Sequence, residues 1–252
     1  MLIAINLNNQ RIAADSANPQ NNYRCPFCKN PVILKAGSIK IHHFAHETVL
    51  DCKNDVGEMS EWHIEWQKSF GLDNAEVILN VGKYTHIADI NLKNVVVEFQ
   101  HSPITYKEAK KRTVFYTQDR RKLFWIFDFR DKYQSRQITI HKPKGHNDLI
   151  FKWLNANKAV LAGVDNRGDG SVTLFIQIQD DKLVEVRWNL KDEEKEINSF
   201  KYFRGYIRTR QEVIQSIKDE IDLNWKPTPD FEKTDDYWHF EHLLEMIDAG
   251  VH

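Results

Sequence analysis

Cys25-Pro-Phe-Cys28, followed fourteen residues later by a histidine run ending at His46 and then by Cys52, leaves few ways for the first part of this chain to fold. From Tyr23 to Lys53 the sequence carries all three cysteines of the protein and little apolar mass of its own. A segment so poor in core residues needs a covalent or metal staple. An odd cysteine count with a C-x2-C pair suits metal ligation better than disulfides. Tetrahedral zinc takes thiolate and imidazole ligands, commonly as a tight C-x2-C turn and a second, distant pair. Cys25, Cys28, His43 and His46 supply that set. His42 and Cys52 are also within reach, Cys52 being the alternative ligand. Full protein coordination leaves no position for water, so the expected zinc is structural and contributes folding energy.

The remainder has the means to build a core. With 252 residues and 41% hydrophobic content, the chain can bury one sizeable core, or one core plus a small satellite module. Lys and Arg number 35 against 36 Asp and Glu. Nucleic-acid binding would therefore rest on a local patch, and a protein that coats DNA by global charge is disfavoured. The longest apolar runs, such as Leu123 to Phe127, fall far short of the roughly 20 residues that cross a bilayer, so no membrane association is expected. The start, MLIAINLNNQR, lacks the parts of a secretion signal, which places the protein in the cytoplasm.

Periodicity gives the order of elements. Leu2 to Leu7 reads as a short strand, followed by a polar loop through Ser16, Asn18, Pro19, Asn21 and Asn22. Met59, Trp62, Trp66 and Phe70 recur at helical spacing and predict a helix from Glu58 to Phe70, with Ser60 or Asp55 as N-cap. Strands follow at Glu76 to Val81, Thr85 to Leu92 and Val95 to Gln100, then a helix from about Ile104 to Gln118 and a strand from Lys122 to Phe129. Pro103 is expected at the first position of that helix, with Thr105-x-x-Glu108 as a capping box. Beyond residue 130 strands are expected at Gln137 to His141, Val160 to Val164, Val172 to Gln177 and Leu183 to Trp188, and a helix over Gln211 to Leu223. An acidic tail from Asp230 to Asp248 follows, in which Tyr237, Trp238 and Phe240 would pack on the core or form a dimer contact.

Two acids carry the sharper argument. If Lys93-Asn94 is the two-residue turn of a hairpin, Asp89 faces Glu98. His86, Ala88, Ile90 and Leu92 then share a mostly apolar face with Val95, Val97 and Phe99, while Asp89, Glu98 and Gln100 share the other. Carboxylates directly across a strand pair have Cβ atoms about 4.5–5.5 Å apart and repel unless a cation lies between them. Magnesium favours one or two carboxylates with water and substrate phosphate in its other positions, which is the geometry of phosphodiester hydrolysis. A three-residue turn would break this pairing, and on a solvated face the two acids would merely repel. In the next helix Glu108, Arg112 and Tyr116 share a face. Lys107, Lys110, Lys111, Arg112, Arg120, Arg121 and Lys122 outnumber Glu108 and Asp119 there, an excess able to grip a phosphate backbone or to serve as a solvated helix face.

Taken in order, YRCPFC, HHFAH, SEWHIEWQK, HIADI, VVVEFQHSPIT, Arg112 and Tyr116 resemble the CoiA-like competence protein family over about Tyr23 to Phe129. The resemblance implies an α/β (α+β) restriction-endonuclease-like fold, a mixed sheet flanked by helices, preceded by a zinc-finger-like module. It implies that Asp89 and Glu98 are the metal-binding acids of a PD-(D/E)xK site holding magnesium or manganese. Gln100 stands where that motif usually has Lys. An amide cannot take a proton as an amine can, so His63 and Lys68 of the first helix are the candidates for activating water, with Glu61 or Glu58 as a third carboxylate. Ser60 with His63 resembles the family's S-x2-H helix. Gln67 sits four after His63, and Lys68 comes one later.

The expected organisation is a strand and zinc-finger-like module over 1–56, a nuclease core over 57–132 and an α+β extension with the acidic tail over 133–252, the last carrying any homodimer or protein contact. The expected function is a magnesium-dependent deoxyribonuclease in DNA uptake, recombination or defence. Asp89, Glu98, Gln100 and His63 would be catalytic, and Arg112, Lys111, Tyr116 and Lys68 would hold substrate. The rival is a non-catalytic zinc-containing DNA-binding or scaffold protein with a decayed nuclease fold, favoured by the E-x-Q departure. RNA is a third reading, since a carboxylate–magnesium site does not select the sugar.

Overall fold

The computed structural model describes residues 1–38, 40–47, 52, 59–118, 121–141, 149–153, 171–189 and 202–222. The chain divides into two compact units, Met1–Leu92 and Lys93–His252.

The first unit opens with short strands β1 (Ile3–Ile5), β2 (Arg11–Ala13), β3 (Tyr23–Arg24), β4 (Pro31–Lys35) and β5 (His43–His46), antiparallel in the order β2-β1-β3-β4-β5. Their core is small: Ala4, Ala14, Tyr23, Cys25, Val32, Phe44 and Cys52, with the Tyr23 and Phe44 rings 5.0 Å apart. Helix α1 (Glu61–Phe70) begins three residues later than expected because Ser60 is its cap, accepting the His63 N–H at 3.3 Å. It buries Trp62, Ile64, Trp66, Gln67 and Phe70 and stops at Gly71, whose φ of 86 is open to glycine. Strands β6 (Ala75–Val81) and β7 (Tyr84–Leu92) pair antiparallel. Along β7 the expected alternation holds, with Ala88 and Ile90 buried on either side of the half-buried Asp89. Glu76 ties the first sheet to β6: its carboxylate accepts the N–H groups of Leu2 and Ile3 at 2.7 and 3.1 Å, and Arg11 donates to the carbonyls of Ala75 and Glu76.

The second unit holds β8 (Val95–Gln100), α2 (Tyr106–Gln118), β9 (Lys122–Asp128), α3 (Arg130–Gln134), β10 (Ile138–His141), β11 (Leu149–Trp153), β12 (Val172–Gln179), β13 (Lys182–Asn189), β14 (Tyr202–Thr209) and α4 (Arg210–Asp222). Its strands form a mixed sheet in the order β10-β11-β14-β13-β12-β9-β8. Strands β8, β9 and β12 are parallel and the others antiparallel. A parallel pair needs a crossover, and α2 supplies the one from β8 to β9.

Parallel strands flanked by other layers are buried on both faces. That is why the two-faced pattern expected over 95–100 fails: Val96 and Glu98 are as buried as Val95 and Val97. Helix α2 starts at Tyr106 rather than Ile104 because Thr105 is its cap, accepting the Glu108 N–H at 3.2 Å, which leaves Pro103 outside the helix. In α4, Thr209 and Glu212 form a reciprocal capping box, with bonds of 3.2 and 2.7 Å. Strands β11 and β14 were not expected from the sequence pattern. The strand at Val160 to Val164, the acidic tail with Tyr237, Trp238 and Phe240, and Asp55, Glu58 and Arg120 lie outside the described residues. Among the described residues no helix is long and apolar enough to cross a membrane.

Gly205 in β14 passes the Glu185 backbone so closely that a Cβ would collide with that carbonyl. Gly205→Ala is expected to lower stability by about 1–3 kcal/mol through overpacking. The check is a fall in the urea midpoint at unchanged m-value.

Candidate functional site

The cysteine turn is built by the backbone. Cys25 donates its N–H to the Asn30 carbonyl at 2.9 Å and accepts from Lys29 N–H at 3.0 Å, with Lys29 at a φ of 62. This turn brings Cys25 and Cys28 together, and strand β5 adds His46, whose Nε2 lies 3.3 Å from Cys28 Sγ. Cys52 completes a group whose donor atoms all lie within 4.8 Å of one another. Tetrahedral zinc on bonds of about 2.0–2.3 Å holds its donors about 3.5–3.8 Å apart, so this set can hold zinc with little adjustment. At Cys28 burial works against the thiolate. The Asn30 N–H, His46, Cys52 and Cys25 outweigh it and bring the thiol down to about 7. Burial is the largest influence at Cys25 and pushes its thiol up.

His43 does not join the group. Its Nδ1 lies 2.9 Å from the Ile41 carbonyl, and Cys52 takes the place expected for it. The reason is the strand period of two: Phe44 and His46 of β5 point to the small core, so His43 points away. His42 is likewise outside the group.

A second polar group in the first unit joins α1 to β7. His63 Nε2 lies 3.1 Å from Asp89 Oδ1, with the two side chains 16% and 20% exposed. Gln67, fully buried, donates from Nε2 to the Asp89 backbone carbonyl at 3.3 Å. The helix thus fixes both the side chain and the backbone of Asp89. Gln67 was noted in the sequence only as a departure in spacing, and the i, i+4 relation to His63 was the signal for its position. Lys68 faces elsewhere and pairs with Asp15 at 2.9 Å, both about two-fifths exposed.

In the second unit Glu98 is 1% exposed, and Arg112 Nη1 meets its Oε2 at 3.3 Å. Arg112 Nε also donates to Glu108 Oε1 at 2.7 Å. Burial alone would weaken the guanidinium's hold on its proton, but Glu98 and then Glu108 more than offset this and raise it. Gln100 donates from Nε2 to the Ser102 carbonyl at 2.6 Å. Tyr116, expected to touch substrate, is fully buried with its ring edge-on to Phe115, so it is withdrawn from the solvent-facing surface of the helix. Lys111 is half-buried on the same helix. Sequence reasoning also passed over His101, Asp128, Arg130 and Asp180, which the structure gathers at the ends of β8, β9 and β12; only tertiary pairing brings these residues together.

The structure thus combines, in the first unit, a cysteine–histidine group able to hold zinc and, in the second, a mixed sheet that buries an arginine-paired acid. Two family models match: Competence protein CoiA, N-terminal domain, over residues 6–55, and Competence protein CoiA, nuclease-like domain, over residues 83–162. Together they cover just over half of the sequence in the expected order, and the chain belongs to the CoiA-like competence proteins. No curated protein and no solved structure matches it. The match over 83–162 contains Asp89, Glu98, Gln100 and Arg112, whereas His63 and Gln67 lie between the two matched segments.

Metal content distinguishes the ligands. Cys52→Ser is expected to lose most of the bound zinc together with thermal stability, because the site's binding energy is folding energy. His43→Ala is expected to keep both. Zinc assay on protein refolded with the metal, paired with Tm, checks this; equal loss in both variants would return His43 to the ligand set.

Proposed function

We propose that this protein is a magnesium- or manganese-dependent nuclease acting on DNA, with a structural zinc in its N-terminal module. The observation that carries the reading is Glu98. A carboxylate taken out of water is costly unless paired, and the chain keeps one at 1% exposure inside the segment matched by the nuclease-like domain, paired with Arg112. Asp89 is the second acid.

On this reading Asp89 and Glu98 would hold the cation. The metal would polarise the scissile phosphate and lower the pKa of a bound water. His63, whose Nε2 lies 3.1 Å from Asp89 Oδ1, would orient that carboxylate and take the proton of the attacking water. Gln100 offers its amide oxygen to orient the water, its nitrogen being engaged by Ser102. Arg112 and Lys111 balance the charge of the phosphate as it comes against Glu98. A buried acid that a basic side chain already neutralises also fits a scaffold that has lost catalysis, so activity itself is the deciding measurement.

Purified protein with labelled single- and double-stranded DNA is expected to cleave when magnesium or manganese is added. Asp89→Asn and Glu98→Gln are each expected to lower the rate on the order of 100-fold or more. His63→Ala is expected to lower it by about 100-fold through loss of proton transfer. Binding without cleavage in either metal, unchanged by these substitutions, would favour the scaffold protein, and cleavage of RNA alone would move the substrate.

A further inference from the structure

Asp128 lies at the carboxyl end of β9, 8% exposed, in register beside Gln177 of β12, which is 1% exposed. One step past the last β8–β9 pair, Gln100 with Phe127, His101 comes alongside it, with Nδ1 2.9 Å from Asp128 Oδ2. Arg130 closes on the same carboxylate. Its Nε donates to Oδ1 at 2.9 Å, its Nη2 to Oδ2 at 2.8 Å and its backbone N–H to Oδ1 at 3.2 Å. The outer Nη1 reaches Asp180, whose side chain is 92% exposed, at 2.9 Å. Gln177 holds the neighbouring loop by donating to the carbonyls of Gln179 and Asp180 at 3.1 and 2.9 Å.

One well-placed cation is enough to compensate a buried carboxylate, and Arg130 alone supplies three N–H groups to Asp128. His101 adds a further nitrogen to a carboxylate already satisfied. What Asp128 accomplishes with both is to fix a guanidinium and an imidazole side by side, with side chains 33% and 47% exposed. Burial works against the charge of Asp128, but Arg130 and His101 outweigh it and keep the acid below the usual carboxylate range, so it stays an acceptor for both. The cluster stands outside the carboxyl ends of three parallel strands, the place where open α/β sheets bind ligands. It is not the Glu98 site. The Trp125 indole meets Thr113 of α2 at 3.1 Å, and Asp128, three residues on, alternates to the opposite face of the sheet.

We propose that His101 and Arg130, held by Asp128, bind a phosphate group of a nucleic-acid strand. The Nη1 and Nη2 edge of the Arg130 guanidinium matches phosphate oxygens in charge and direction, and the imidazolium form of His101, with Nδ1 on Asp128, offers its Nε2–H as a second donor. Asp180 is the exposed counter-ion that the phosphate displaces. That the phosphate belongs to a nucleic acid rests on the function proposed above; that the cluster takes a phosphate does not.

The test uses the full chain with zinc and without added magnesium, so that nothing is cleaved. Oligonucleotides of one sequence, labelled at the 3′ end and bearing either a 5′-phosphate or a 5′-hydroxyl, are followed by anisotropy, and inorganic phosphate by the rise in Tm. Arg130→Met and His101→Gln are each expected to weaken oligonucleotide binding about tenfold, one charge-assisted contact. Arg130→Met should also reduce the salt slope by about 1, and Asp180→Asn should tighten binding. Loss confined to the 5′-phosphorylated strand marks a terminal phosphate, and equal loss on both marks a backbone phosphate; either supports the site. Should Arg130→Met fail to fold, His101→Gln at the exposed rim decides. Parental affinity and salt slope in the folded variants would overturn the proposal. If the parent protein binds neither oligonucleotide, the nucleic-acid reading fails. The phosphate site then stands only if inorganic phosphate raises Tm in the parent and not in Arg130→Met.

Discussion

The pairing of Glu98 with Arg112 links the topology of the second unit to its chemistry. Strand β8 is parallel to β9 and so is covered on both faces. A carboxylate in such a strand is largely withdrawn from water and needs a cation close by. The parallel pairing itself requires a crossover, and the crossover helix α2 carries that cation at Arg112, braced by Glu108 one turn earlier. Thr113 on the next position receives the Trp125 indole N–H, so adjacent residues of one helix satisfy polar groups from two adjacent strands. Breaking a buried pair by removing one partner typically costs about 3–5 kcal/mol. The acid, the helix and the strand order are therefore mutually dependent.

The first unit solves a different problem. Of the seven buried residues in the small core cluster of the five-stranded sheet, two are cysteines. With a core that small, the cysteines contribute to the packing and are also placed where they can anchor a metal. The choice of His46 over His43 follows from the same economy of space: β5 has one inward face, it already carries Phe44, and the residue two along is His46.

Where the sequence is legible, it is legible through period and capping. The alternation at Ala88 and Ile90, the helical spacing of Trp62, Trp66 and Phe70, and the Ser60 and Thr105 caps each express a local rule, and the structure follows them. The C-x2-C turn is local in the same sense. The limit comes where burial is decided by distant pairing. Nothing within Val95 to Gln100 reveals that β9 will lie parallel beside it, so a strand buried on both sides looks like one with a polar face. Cys52 is separated from β5 by residues with no periodic signal, which made the nearer His43 look like the natural ligand. The cluster at His101, Asp128, Arg130 and Asp180 draws on three strand ends up to 79 residues apart in sequence, and no motif spans that distance.

Gln100 connects the two faces of β8. An amide at this position cannot take a proton as an amine can, but it makes a bond that acts on the backbone, donating to the Ser102 carbonyl at 2.6 Å. That bond fixes the turn by which the chain leaves the strand, and His101 is the residue inside the turn. Held there, its Nδ1 meets Asp128 in the register that the β8–β9 pairing sets. A lysine reaching forward to a phosphate would leave the Ser102 carbonyl without this partner and free the turn to move. In the E-x-Q sequence an uncharged amide therefore holds the turn, and with it the imidazole on the other face of the sheet.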